Sequence, residues 1–123
     1  MGKKPALSFP RRGEVYLVDF EPARGAEIRK TRPALIVQND IGNRHSPLTI
    51  VAPLTTKFDF PLYPVNVHLR PPEGGISMEA IVLLDQLRSV DKARLVKKLG
   101  KLRPGSLHKV DHALMISLGL AEI

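Results

Sequence analysis

The stretch from Thr31 to Thr56 reads TRPALIVQNDIGNRHSPLTIVAPLTT, and its interpretation decides the fold. It holds two apolar runs, Ala34-Leu35-Ile36-Val37 and Leu48-Thr49-Ile50-Val51. Each is too short for a helix and rich in the β-branched residues that pack on a pleated surface, so each reads as a central strand. Between them, Gln38 to Pro47 is dense in Asn, Asp, Gly, Ser and Pro, which favour turns, and reads as a loop at one end of the sheet. Arg32 precedes the first strand and Thr55 closes the second. If the strands pair antiparallel, a guanidinium and a hydroxyl arrive at the same rim.

Working outward, Gly13 to Phe20 combines aromatic and β-branched residues and predicts another strand, ended by Pro22. Residues 1–10 read as a flexible tail and 11–123 as one domain. The connection from Pro22 to Thr31 spans about ten residues, long enough to suggest function. It carries Arg24, Arg29 and Lys30 against the single acid Glu27. Downstream, Lys57 to Pro64 is broken by prolines and clusters Phe58, Phe60 and Tyr63 in a loop. Tyr63 to Leu69 alternates like a half-buried strand, Pro71 to Gly75 turns, and Met78 to Val90 predicts a strand opened by an apolar run. Asp91 can cap a helix bearing Leu95, Leu99 and Leu102, and Ser106 a second bearing Leu107, Val110, Leu114 and Leu118. The predicted architecture is mainly β, a five-strand antiparallel sheet curled into a small barrel, with C-terminal helices.

The 123 residues suffice for a domain that buries roughly two thirds of its unfolded surface. Nineteen Lys and Arg against twelve Asp and Glu give a net charge of +7, which favours polyanionic partners. With no cysteine there is no disulfide framework and no thiolate metal site. The apolar part of MGKKPALSFP is too short for a secretory signal, and no segment has the length of a bilayer span. A soluble cytoplasmic protein without a membrane partner is the expectation. His45, His68, His108 and His112 form no ligand set, so no metal is expected, and neither a phosphate-binding glycine loop nor a Gly-x-Ser-x-Gly elbow is present.

The rim of Arg32 and Thr55 remains. The segments Arg12-Gly13-Glu14-Val15-Tyr16, Gly25-Ala26-Glu27, Arg32-Pro33-Ala34-Leu35-Ile36-Val37-Gln38-Asn39-Asp40, Val51-Ala52-Pro53-Leu54-Thr55-Thr56 and Asp85-Gln86-Leu87-Arg88-Ser89-Val90-Asp91 closely resemble the MazF/PemK family of toxin endoribonucleases. The resemblance runs in order from about Arg12 to Leu120. It implies an SH3-like β-barrel of the CcdB/MazF type and a homodimer. It also implies cofactor-free, metal-independent cleavage of single-stranded RNA at short sequences, restrained by a cognate MazE-like antitoxin of a type II toxin-antitoxin system.

By the same resemblance Arg32 and Thr55 are the catalytic pair, with Glu27 also implicated. The chemistry fits. An RNA 2′-hydroxyl attacks the adjacent phosphate, and a guanidinium and a hydroxyl stabilise the charge gathered in the pentavalent transition state. A 2′,3′-cyclic phosphate and a 5′-hydroxyl result. Arginine stays protonated at ordinary pH, so Arg32 suits donation to the leaving 5′-oxygen better than proton abstraction, and either Glu27 takes the 2′-proton or Arg32 acts through electrostatics alone. Arg24, Ile28, Arg29, Lys30, Thr56, Phe58, Asp85 and Gln86 are the RNA-binding candidates, Asp85 and Gln86 reading base edges and Phe58 or Phe60 stacking on bases. Ala26 and Ile28 depart from the Ser and Gln frequent in similar family members, so sequence preference does not carry over. Two other classes are weighed. A gyrase poison similar to CcdB uses a C-terminal Trp-Gly-Ile, whereas this chain ends Leu120-Ala121-Glu122-Ile123 and has no Trp. A non-catalytic RNA-binding barrel needs the basic loop but not Arg32 with Thr55.

Overall fold

The computed structural model describes residues 8–20 and 31–123. Its sheet is built from β1 (Glu14–Asp19), β2 (Thr31–Ile36), β3 (Leu48–Thr55), β4 (Asn66–Leu69), β5 (Ala80–Leu83), β6 (Arg88–Asp91) and β7 (Leu95–Lys101). Two helices are added, α1 (Asp40–His45) and α2 (Pro104–Ser117). The spatial order is β4-β5-β3-β2-β1-β7, with β6 also pairing β3, and every pairing is antiparallel.

The long strand β3 explains the curvature. Its first half, Leu48 to Val51, pairs with β6, and its end, Leu54 and Thr55, pairs with β5. Pro53, which has no N–H to donate, falls in the gap where neither partner reaches. A strand that serves two sheets turns a corner, which makes the fold barrel-like. The sheet nevertheless stays open, with β4 and β7 at its edges, so the predicted barrel is not closed. Alternation along the strands feeds two cores. Val15, Leu35, Ala52, Leu54, Val82 and Leu84 pack on one face with Val110 and Ala113 of α2, while Val18, Ala34, Ile36, Val51 and Val90 pack on the other. Burial on both faces is why β2 and β3 read as continuous apolar runs.

Several sequence expectations change. The loop from Gln38 to Pro47 contains α1, capped by Asn39, whose Oδ1 accepts from the Gly42 N–H at 2.8 Å. With Asp40 in its first turn and Arg44 and His45 in its last, the helix has charges matched to its dipole. The stretch Met78 to Val90 is two strands, because Leu84 to Leu87 turns between β5 and β6. The helix predicted after Asp91 is absent. Asp91 caps only a 3-10 turn, Lys92–Arg94, its Oδ1 accepting from the Ala93 N–H at 2.8 Å.

The chain then enters β7, which pairs with β1. The lysines that a helix would have turned to water instead line an exposed edge strand, where they oppose pairing with another sheet. Gly100 is needed there, since a Cβ on it would lie 2.7 Å from backbone atoms of Gly74 and Gly75. Of the C-terminal helices only α2 forms, starting at Pro104 with Arg103 at the position before it and no side-chain cap, rather than capped by Ser106. Among the described residues no helix is long and apolar enough to cross a membrane.

Candidate functional site

The β2–β3 ladder pairs Ala34 with Pro53, Leu35 with Ala52 and Ile36 with Val51. Continued outward, this register sets Arg32 opposite Thr55. Arg32 lies inside β2, opposite Val18 of β1, rather than before the strand, and Thr55 is also paired with Ile81 of β5. Directly opposed residues share a face, so Arg32, Thr55 and Ile81 project from the same side of the sheet. They line one cavity of about 460 Å³ with Phe58, Asp85 and Gln86, which the loops after β3 and β5 contribute. Five of the predicted site residues are therefore brought together.

Each group has a definable chemical state. Thr55 Oγ1 accepts from the Lys57 N–H at 3.1 Å, which orients the hydroxyl and leaves its proton available to a ligand. Arg32 is exposed and, among the described residues, takes part in no ion pair. Behind it a smaller cavity of about 200 Å³ is lined by Phe20, Pro53, Gln86 and Arg88. The Arg88 guanidinium lies 4.9 Å from the centre of the Phe20 ring, a cation–π contact that keeps a second cation on this face. The Gln86 N–H donates to Leu83 O at 3.1 Å, closing the turn that presents Asp85 and Gln86.

The larger cavity is not uniformly basic. Arg32 and Lys57 are balanced by Asp59 and Asp85, whose carboxylates can accept from base amino groups. Phe58 is half-buried, its ring centre 5.8 Å from that of Phe60 and 5.6 Å from that of His68, both edge-on. His68 Nε2 in turn lies 2.9 Å from Glu79 Oε1. This cluster fixes the loop, and the widely exposed rings are Phe60 (67%) and Tyr63 (74%). Sequence reasoning passed over Tyr63, Asn66 and Lys57 as site residues, although Tyr63 between Leu62 and Pro64 carried the signal of an aromatic in a loop too irregular to bury it.

The remaining candidates lie elsewhere. Alternation turns Thr56 away from Thr55, into an apolar cavity with Leu17, Pro33, Leu54 and Met78. Arg24, Glu27, Ile28, Arg29 and Lys30 lie outside the described residues. Among the described residues no three His, Cys, Asp or Glu side chains cluster as a metal site.

An open antiparallel sheet with two cores, a C-terminal helix, and a rim where a guanidinium and a hydroxyl meet an aromatic-lined hollow defines a class of small β proteins suited to a phosphate-bearing ligand. Comparison with known proteins narrows that class. The family model described as PemK-like, MazF-like toxin of type II toxin-antitoxin system matches residues 11–118. A relative, Endoribonuclease EndoA of Bacillus subtilis, is 41% identical over 112 residues, covering 91% of this chain and 97% of its own. Among solved structures, an endoribonuclease in complex with its cognate antitoxin from a mycobacterial species superposes with a TM-score of 0.76 at 30% identity, over 93% of this chain and 99% of that one. A MazE-MazF structure from Deinococcus radiodurans gives 0.75 at 30% identity, over 91% and 97%. The chain belongs to the PemK-like, MazF-like toxin family.

Proposed function

We propose that this chain is a sequence-specific endoribonuclease toxin that cuts single-stranded RNA without a metal or other cofactor. The observation that carries the reading is the convergence of Arg32 and Thr55 in one cavity with Phe58, Asp85 and Gln86. The RNA 2′-oxygen attacks the neighbouring phosphorus, and the bond from phosphorus to the 5′-oxygen breaks. Arg32 and Thr55 donate to the non-bridging oxygens as charge builds there, and the Arg32 guanidinium delivers a proton to the departing 5′-oxygen. Glu27 takes the 2′-proton. The products are a 2′,3′-cyclic phosphate and a 5′-hydroxyl. DNA lacks the nucleophile and binds without reacting.

Asp85 and Gln86 read base edges, and Arg24, Ile28, Arg29 and Lys30 assist in holding the strand, whereas Thr56 faces the apolar cavity and takes no part. The protein acts in the cytoplasm as a homodimer, and a MazE-like antitoxin lays an acidic tail over the same groove. Attraction of that tail to a chain of charge +7 makes its affinity fall with added salt. The test is cleavage of a long single-stranded transcript in EDTA, wild type against Arg32→Ala, with both fragment ends mapped. Cuts at a recurring short sequence, with cyclic-phosphate and 5′-hydroxyl ends and lost in the mutant, support the reading. A folded wild-type protein that leaves diverse RNAs intact overturns it.

A further inference from the structure

A second cavity, about 730 Å³, opens along the free edge of β4 where α2 packs against that strand. Its walls bring Arg70, Arg103, Lys109, His68 and His112 together with one carboxylate, Glu73. Glu73 Oε2 already accepts from the Arg103 backbone N–H at 2.9 Å. Among the described residues, Arg70, Arg103 and Lys109 form no ion pair, so three fixed cations face a single engaged acid. The cleft is therefore more strongly positive than the Arg32 cavity, where cations and carboxylates balance.

The two hollows share a wall at one residue. Asn66 lines both, and the adjacent residues Tyr63 and Pro64 line one each. The turn between them is closed on itself, with the Asn66 N–H donating to Tyr63 O at 3.0 Å and Asn66 Oδ1 accepting from the Tyr63 N–H at 3.3 Å. On this saddle stands the exposed Tyr63 ring. A cationic groove interrupted by an aromatic ring is the pattern that holds a single strand, whose phosphates need counter-charge and whose unpaired bases need a stacking surface.

We propose that the β4–α2 cleft is a second phosphate-binding subsite, which holds the RNA backbone flanking the cleavage site after the strand crosses the Tyr63–Asn66 turn. The inference rests on the ribonuclease reading above. Because contacts to phosphate position a strand without reading its sequence, the subsite sets affinity for long substrates and leaves the choice of cut site to the Arg32 cavity.

The experiment starts from the cut site that wild type makes in a long transcript. Two oligonucleotides are centred on it, one of about five and one of about sixteen nucleotides, the span of single-strand binding sites. The double variant Arg103→Ala, Lys109→Ala changes two exposed side chains and is compared with wild type and with the charge-keeping pair Arg103→Lys, Lys109→Arg. For the alanine variant KM rises about tenfold on the longer oligonucleotide, while kcat, cut position and the shorter substrate are unaffected. Binding to a non-cleavable copy, with 2′-deoxyribose at the cut site, loses about 1.4 from the slope of log affinity against log salt, roughly 0.7 for each phosphate contact removed. The charge-keeping pair retains the slope. An unchanged slope and KM overturn the subsite, and so does an alanine variant whose sedimentation shows lost self-association with both oligonucleotides cleaved worse alike, which assigns the cleft to contact between copies. Wild type that cleaves no transcript overturns the ribonuclease reading instead.

Discussion

Arg32 of β2 and Thr55 of β3 sit opposite one another at the end of the ladder that pairs Ala34 with Pro53, and both line the cavity that Phe58, Asp85 and Gln86 complete. Neither residue needs a loop to place it. Two central strands, buried on both faces, hold the pair, and such a base suits groups that must meet a transition state within a fraction of an ångström.

Replacing Arg32 by Ala lowers turnover about 100-fold or more, the cost of removing one transition-state donor, with a smaller loss of RNA affinity. Lys at this position remains impaired, because a point charge cannot reproduce the two-pronged guanidinium. Single-turnover cleavage and equilibrium binding on the same RNA separate the effects. Equal losses in both assign Arg32 to uniform phosphate binding.

Thr55→Val keeps the shape of a β-strand residue and removes the hydroxyl that the Lys57 N–H orients. Turnover falls by about 10- to 100-fold with little change in melting temperature, and Thr55→Ser recovers most of it. A Val variant with full activity removes Thr55 from the chemistry.

Asn43 is fully buried on α1 and ties that helix to the hairpin. Its Oδ1 accepts from Thr49 Oγ1 at 2.7 Å and from Gln38 Nε2 at 3.1 Å, and its Nδ2 donates to Gln38 O at 2.9 Å. Asn43→Ala leaves the buried Thr49 hydroxyl without this acceptor and costs about 2 to 3 kcal/mol. Urea unfolding measures it. A change below about 0.5 kcal/mol, within the range of ordinary surface substitutions, shows that water replaces the amide.

Two glycines separate crowding from helix propensity. Gly100→Ala drives a Cβ into the Gly74–Gly75 backbone and destabilises by about 1 to 3 kcal/mol. Gly105→Ala, in the first turn of α2 with nothing within 4 Å of the new atom, is neutral or stabilising by up to about 1 kcal/mol. Calorimetry on both decides, and equal melting points refute the close approach.

Alkali tests the link between β1 and β7. The Lys98 ammonium lies 2.8 Å from Glu14 Oε2, and this hydrogen bond, reinforced by charge attraction, raises Lys98 above its ordinary 10.5. Burial, then the Glu14 charge, raises Tyr16 above its ordinary 10.0. Both groups hold their protons more tightly folded than unfolded. Their stabilisation is therefore complete below about pH 10 and lost as pH rises through the raised folded values. Melting temperature should fall across that window in wild type and fall less in Glu14→Gln. Identical pH profiles for the two proteins count against the pairing.

What the sequence determined by itself is local. The apolar runs around Ala34 and Leu48 exclude helix and demand burial on both faces, so β2, β3 and the meeting of Arg32 with Thr55 were legible. Asp85 and Gln86 were legible as polar site residues but not as a turn, because the apolar run before them reads on as one strand. Tertiary structure decided the rest. Leu95 to Lys101 has both a helix-compatible leucine spacing and enough apolar residues for a strand, and only the free edge of β1, together with the crowding of Gly100 against Gly74 and Gly75, selects the strand. The Asn, Asp and Gly of 39–42 suit a turn as well as a capped helix, and the buried partner Thr49 favours the helix. Thr55 and Thr56 are equivalent in composition, yet the pleat sends one to the Arg32 cavity and the other to an apolar one. The basic cleft gathers Arg70, just after β4, with Arg103 and Lys109, just before and within α2 and more than thirty positions further along the chain, because α2 packs on the sheet's edge strand. Spacing along a chain sets which way neighbouring side chains point, whereas only packing sets which distant ones meet.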